Sequence, residues 1–289
     1  MNGDAVPQAQ AYYTAGNFRQ CRQVALQGLT ERPDDVHLLR LAGSAALELD
    51  LDDAVTYLQR VADLAPEDAD AWRGLGTALA NEGRTQDAAA AFQRAVDLDP
   101  DDHAALVDLG HALYILGQES EAISLLVRAA EREPGNIATL RGLVEMYLET
   151  DRLPLALVTA RKIVHWQPDD VLATVDIADL SLTLGNLNDA VDAYNRLRQI
   201  DTEPLHEVYA YHGTIQTEMQ REQWRRALDL AVDATRVARD DLTTQLLAFI
   251  IVKVFGSSGH PTLTRAELDA ALIAEHAEHR RLHSQALVP

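Results

Sequence analysis

A chain of 289 residues, 47% of them hydrophobic, can bury a sizeable core as one continuous array or as one or two domains. Its formal net charge of −20 argues against nucleic acid as a partner, because phosphate recognition needs clustered positive charge. The lone Cys21 rules out an internal disulfide and a thiolate metal cluster. Aromatic residues are few and alanine is abundant, which suits closely packed helices. The opening MNGDAVPQAQ lacks the basic and apolar stretches of a signal peptide. The most apolar run, Leu246 to Phe255, contains Lys253 and is too short to span a bilayer. No membrane role is expected, and cytoplasm is the expected location.

The chain begins with a degenerate segment, in which a short helix from near Pro7 leads through Tyr12 to Gly16. Cys21 then falls where later segments place alanine, which predicts a buried packing role. From residue 35 a period of 34 is firm. Ala54, Ala88, Ala122, Ala156 and Ala190 form one row, and Pro66, Pro100, Pro134 and Pro168 form a second. With Ala69 as position 1, Trp72 falls at 4, Leu75 at 7, Gly76 at 8 and Gly83 at 15. Ala88 follows at 20, Phe92 at 24, Ala95 at 27 and Pro100 at 32. Apolar residues recur at helical spacing on both sides of Gly83, which predicts two amphipathic helices meeting at a turn. Gly76 and Ala88 are small where the paired helices approach, and Trp72 and Phe92 fill the space around them. Pro100 closes the second helix.

This pattern of large and small residues resembles the tetratricopeptide repeat, a two-helix unit. The resemblance covers roughly residues 2–240 and is most specific over 35–200. It implies an all-α fold, a right-handed α-solenoid of about seven helix-turn-helix repeats with a C-terminal helical cap. The units are expected near 2–34, 35–68, 69–102, 103–136, 137–170, 171–207 and 208–240. The unit from His103 keeps Leu109, Gly110, Gly117 and Ala129 in register, whereas the next has Val144 at position 8 and Asp151 at 15. Ala190 to Ala227 is 37 residues, so three extra residues predict a longer loop around Ile200–His206. Beyond residue 240 the pattern stops. Leu242 to Phe255 reads as an apolar helix, and Thr264 with Glu267 opens another that runs to about His283. These helices, within 241–289, either cap the array or serve as an interface for assembly.

No P-loop, nucleophile elbow or His-Glu-x-x-His is present, so the chain reads as no enzyme and no cofactor is expected. His276, His279 and His283 share one helix face and could hold a divalent metal, with Glu275 and His260 as further ligands. A solvated histidine row in contact with the helix dipole explains the same spacing.

In the resembling family the first helix of each unit lines a concave groove. That implies partner contacts at Arg40, Arg73, Thr77, Asp108, His111, Tyr114, Arg141, Glu145, Asp176, Asp179, Tyr209, His212 and Gln216. One branch of the family clamps a chaperone's C-terminal carboxylate with lysines, arginines and an asparagine. Here the asparagine is missing and acids interrupt the basic positions. A mixed groove suits a peptide or helix carrying both signs of charge. The expected function is therefore a protein-interaction adaptor or scaffold, including assembly or co-chaperone roles. The alternatives are self-association through Leu242–Phe255 and metal chemistry at the C-terminal histidines.

Overall fold

Among the described residues, the chain reverses direction seven times through the same turn. A residue of positive φ ends a helix, and the next backbone N–H donates to the carbonyl five residues back. The positive-φ residues are Gly16, Asp50, Gly83, Gly117, Asp151, Gly185 and Glu222. The closing bonds run from Asn17 to Tyr12, Leu51 to Ala46, Arg84 to Leu79, Gln118 to Leu113, Arg152 to Tyr147, Asn186 to Ser181 and Gln223 to Glu218. Glycine enters this left-handed conformation freely, which explains Gly83 and Gly117; the three residues with side chains each carry about 1 kcal/mol of strain.

The computed structural model describes residues 5–200 and 204–237, together with residues 242, 243, 246, 249 and 250. Among the described residues there are fourteen helices and no strand, the all-α class expected from the sequence. Paired by the turns, they are α1 (Ala5–Thr14) with α2 (Phe18–Glu31), α3 (Val36–Glu48) with α4 (Ala54–Leu64), and α5 (Ala69–Asn81) with α6 (Thr85–Leu98). Then come α7 (His103–Ile115) with α8 (Glu119–Arg132), α9 (Ile137–Glu149) with α10 (Leu153–Trp166), α11 (Val171–Thr183) with α12 (Leu187–Ile200), and α13 (Pro204–Gln220) with α14 (Trp224–Val237).

Side-chain caps mark the starts of the first helices. Asp35 accepts from the N–H groups of His37 and Leu38, Asp68 from Ala71, Asp102 from Ala104 and Asp170 from Ala173. Asn136 does the same for Thr139 ahead of α9. Each cap satisfies a donor that the helix leaves free. By contrast, α2, α4, α6, α8 and α10 begin without a side-chain cap, one residue or a few after the turn that already fixes their direction.

Two compact units result, Met1–Thr139 and Leu140–Pro289. In the first, each of α1 to α8 packs on the next, and α1, α3, α5 and α7 also touch in sequence as a row. Its main core joins Leu58, Leu75, Ala88, Phe92, Leu106 and Leu109, all nearly inaccessible. Phe92 lies where a Cβ on Gly76 would come within 2.5 Å of the ring, so the small residue at position 8 is required by this contact. Trp72 packs at the edge of the same core and donates its indole N–H to the Pro66 carbonyl at 2.9 Å. Cys21 is fully buried with Ala9, Ala25 and Leu38, as its small-residue position predicted, and burial pushes its thiol pKa up.

The second unit stacks α10 to α14 in chain order, with α11 also touching α13. Its interior is more polar. Among the described residues, Thr139 is the one buried polar side chain of the first unit, whereas the second buries Asp179, Ser181, His206, His212, Gln216 and Glu218 among others. The extra residues before Ala227 do not make a longer loop. Only residues 201–203 separate α12 from α13, and α13 has 17 residues where α9 and α11 have 13. The insertion lengthens a helix instead. From the C-terminal stretch, Leu246, Phe249 and Ile250 are buried against α13 and α14, which closes that end of the core. His260, Glu275, His276, His279 and His283 lie outside the described residues.

Neighbouring glycines on α5 give a paired test. A Cβ at Gly74 meets Leu58 at an ordinary 3.6 Å, so Gly74→Ala gains about 0.5–1 kcal/mol from helix propensity. Gly76→Ala must displace the Phe92 ring and loses about 1–3 kcal/mol of packing, more than the same propensity gain. Urea midpoints are expected to move in opposite directions.

Candidate functional site

The row of first helices in the first unit brings together most of the residues that the resemblance nominates there. Arg40 on α3 does not stand free: its guanidinium bonds the Asp68 carboxylate at 2.5 Å. Asp68 is also the cap of α5, so one carboxylate serves both a backbone donor and the preceding helix pair. Arg141 repeats the arrangement in the second unit, at 2.7 Å from the α11 cap Asp170. Both arginines are committed to holding one pair against the next.

Arg73 differs. It lies 3.9 Å from the α7 cap Asp102, 3.7 Å from Asp70 and 3.8 Å from Asp108. One guanidinium is thus shared among three carboxylates, none close enough for a tight ion pair, and a net negative charge remains. Burial pushes the Asp108 carboxyl above the usual carboxylate range, against the opposing pull of Arg73 and His111. Beside it on α7, His111 is exposed and Tyr114 half-buried. Ile115, at the end of the helix, is 72% exposed. Thr77 turns inward on its own helix and donates to the Arg73 carbonyl at 3.1 Å. The resulting patch is acidic, partly desolvated and edged by an apolar side chain. The sequence reading passed over Ile115, although an isoleucine just before the Gly117 turn is a visible signal.

In the second unit, Glu145 is exposed and Asp176, like Arg141, is half-buried, whereas Asp179, Tyr209, His212 and Gln216 are interior. Asp179 is buried and accepts from the hydroxyls of Tyr194 at 2.8 Å and Tyr209 at 2.6 Å. His212 is fully buried, with Nε2 2.7 Å from Thr243 Oγ1. Tyr209 and Gln216 are buried as well. These four side chains hold the unit together and offer no surface to a partner. The cause is local: α13 is enclosed by α12, α14 and the packed residues Leu246, Phe249 and Ile250. The same burial takes Leu246, Phe249 and Ile250 out of any face for self-association.

Repeated turns, side-chain caps on five of the first helices and small residues such as Gly76 and Gly110 at close approaches fit a two-helix repeat, and sequence comparison agrees. Models of the tetratricopeptide repeat match residues 49–103, 81–137 and 113–173. Residues 49–173 belong to the tetratricopeptide repeat family. No curated protein matches it significantly. Among solved structures, the C-terminal part of a TPR repeat-containing protein from Cytophaga hutchinsonii superposes with a TM-score of 0.63 at 14% identity, over 88% of this chain and 96% of that one. MamA gives 0.53 at 22% identity, covering 58% and 97% respectively. YrrB, described as a TPR protein with an unusual peptide-binding site, gives 0.53 at 19%, covering 64% and 94%. At these identities the likeness is one of fold. Among the described residues, no helix of this protein is long and apolar enough to cross a membrane.

Two outcomes test the electrostatics. Asp170→Ala removes the cap and the Arg141 partner together and is expected to cost about 1–2 kcal/mol. Arg141→Met leaves the cap and should cost under about 1 kcal/mol. Separately, a carboxyl with a raised folded pKa destabilises the native state once pH exceeds its ordinary range, and that penalty fades as pH falls. Asp108→Asn should therefore raise the melting temperature relative to wild type at neutral pH, with the advantage shrinking toward pH 3.

Proposed function

We propose that this protein is a non-catalytic adaptor that holds a peptide or helix of a partner protein along α5 and α7. What carries the reading is the patch of Arg73 among Asp70, Asp102 and Asp108, with exposed His111 and Ile115 beside it. A ligand with a basic residue beside an apolar one would match it: the cation meets the surplus carboxylate charge, and the apolar group covers Ile115. Rigid, preformed helices keep the ordering cost of binding low. YrrB's described peptide-binding site is consistent with this use of a similar fold. A role at the acidic C-terminal tail of a chaperone fits poorly. Arg40 and Arg141 are already paired with cap aspartates, and the carboxylates around Arg73 would repel a polyacidic tail. The nominated Glu145 and Asp176 would give a second, acidic stretch in the other unit.

A pull-down from native lysate tests the proposal, comparing wild type with a His111→Lys, Ile115→Lys double variant of unchanged melting temperature. Both positions are surface ones, so folding is expected to survive. A partner retained by wild type and lost with the variant supports the groove. Identical recovery by both proteins removes it.

A further inference from the structure

Four of the second helices, α4, α6, α8 and α12, follow a common surface rule that α10 breaks. One step before the buried alanine row stand Asp53, Asp87, Glu121 and Asp189; in α10 that position is Leu155. Three residues on, Thr56, Ala90, Ser124 and Asp192 correspond to Val158. Among the helices that end a pair, α10, LPLALVTARKIVHW, is the one without a single acid, in a chain of net charge −20. Leu155 is 47% exposed, Val158 55% and Trp166 53%, three of the eight large apolar side chains so exposed among the described residues. With Lys162 they fall on one stripe at steps of three and four. The stripe is about 16 Å long at the rise of an α-helix, or three turns.

Charge along the stripe is positive. Arg161 bonds Asp189 at 2.5 Å and is neutralised. Exposed Lys162 pairs with no carboxylate among the described residues, and exposed His165 packs its ring edge-on against Trp166 at 5.5 Å. On another side of α10, an open furrow of about 480 Å³ is lined by Arg161 and Val164 together with residues of α11 and α12, and there Arg161 and Arg196 face Asp189 and Asp192. The furrow is balanced, so the uncompensated charge belongs to Lys162.

We propose that the outer face of α10 is a second docking site, and that its occupant is an amphipathic helix of a partner protein with acidic residues flanking its apolar row. An apolar stripe of helical pitch, three turns long, is a surface that receives the apolar face of a helix. The unpaired cation, on a helix stripped of acid, selects one with carboxylates at its edge. The remainder of this strongly acidic chain repels such a segment, so binding is confined to α10.

The test uses the full chain and two fluorescein-labelled model helices with the same leucine seam, one flanked by glutamate and one by lysine. The glutamate-flanked helix is expected to bind at least tenfold more tightly, with affinity falling as salt rises. Leu155→Asp with Val158→Ser restores the residue types of the other pairs and should weaken binding at least tenfold at an unchanged melting temperature. If that variant melts early, Lys162→Glu decides, since it must reverse the preference between the two helices. Equal affinity for both helices, or no binding of either, overturns the proposal. A dimer by light scattering that Leu155→Asp dissociates overturns it too, because a second copy is then the occupant.

Discussion

A carboxylate shared between two jobs closes the junctions of this array. Asp68 and Asp170 each cap a first helix and each receive a guanidinium from the preceding first helix, Arg40 and Arg141 respectively. A cap contributes about 1 kcal/mol and a half-exposed ion pair less, so neither alone is large. Within each unit, however, such a term adds to the burial of the apolar faces where one pair meets the next. The cap also fixes the entry angle of its helix, and the guanidinium ties that angle to the helix before it. Where Asp102 takes the role, Arg73 is drawn away by Asp70 and Asp108, and the device is loosened. The loosened junction is the one with charge left to offer a partner.

The sequence disclosed what repeats and concealed what reaches across. Rows of alanine and proline set the register, and Gly76 against Phe92 shows why a small residue must stand there. Cys21 could be placed in the core because its slot belonged to alanine elsewhere. The arginines misled. Their positions matched a ligand-facing row, but their partners lie 28 and 29 residues ahead, at distances only the folded junction brings together. A period of 37 likewise states that residues were inserted without stating where, and α13 took them as helix. Tyr209, His212 and Gln216 followed a rule for helices with one open side. With α13 covered on that side, they became part of a buried polar network. The clustering of His, Tyr, Thr, Gln and Glu between 206 and 218 was a readable sign of such a network.

That network separates the units energetically. Alanine and leucine interiors, like the one around Leu75 and Leu106, hold by close contact and leave no polar group to satisfy. In the second unit, Glu218 is fully buried with Arg221 at 3.2 Å and Arg226 at 3.3 Å, yet its second oxygen has no partner. Ser181 Oγ and Gln216 Oε1 are also unsatisfied. Incompletely satisfied buried groups cost more than apolar packing of the same volume.

An adaptor needs surfaces that do not compete, and the two surfaces proposed for this chain are of opposite kind. Along α5 and α7 the surplus is negative and the apolar contribution is a single side chain, Ile115. On α10 the surplus is positive and the apolar contribution is a stripe. A segment suited to one is repelled by the other, because the charge that attracts it in the first case opposes it in the second. Repetition makes the contrast possible: the fold asks of each pair only its small residues, its turn and its cap. The positions between those are free to vary, and in α10 they have varied against the trend of the whole chain.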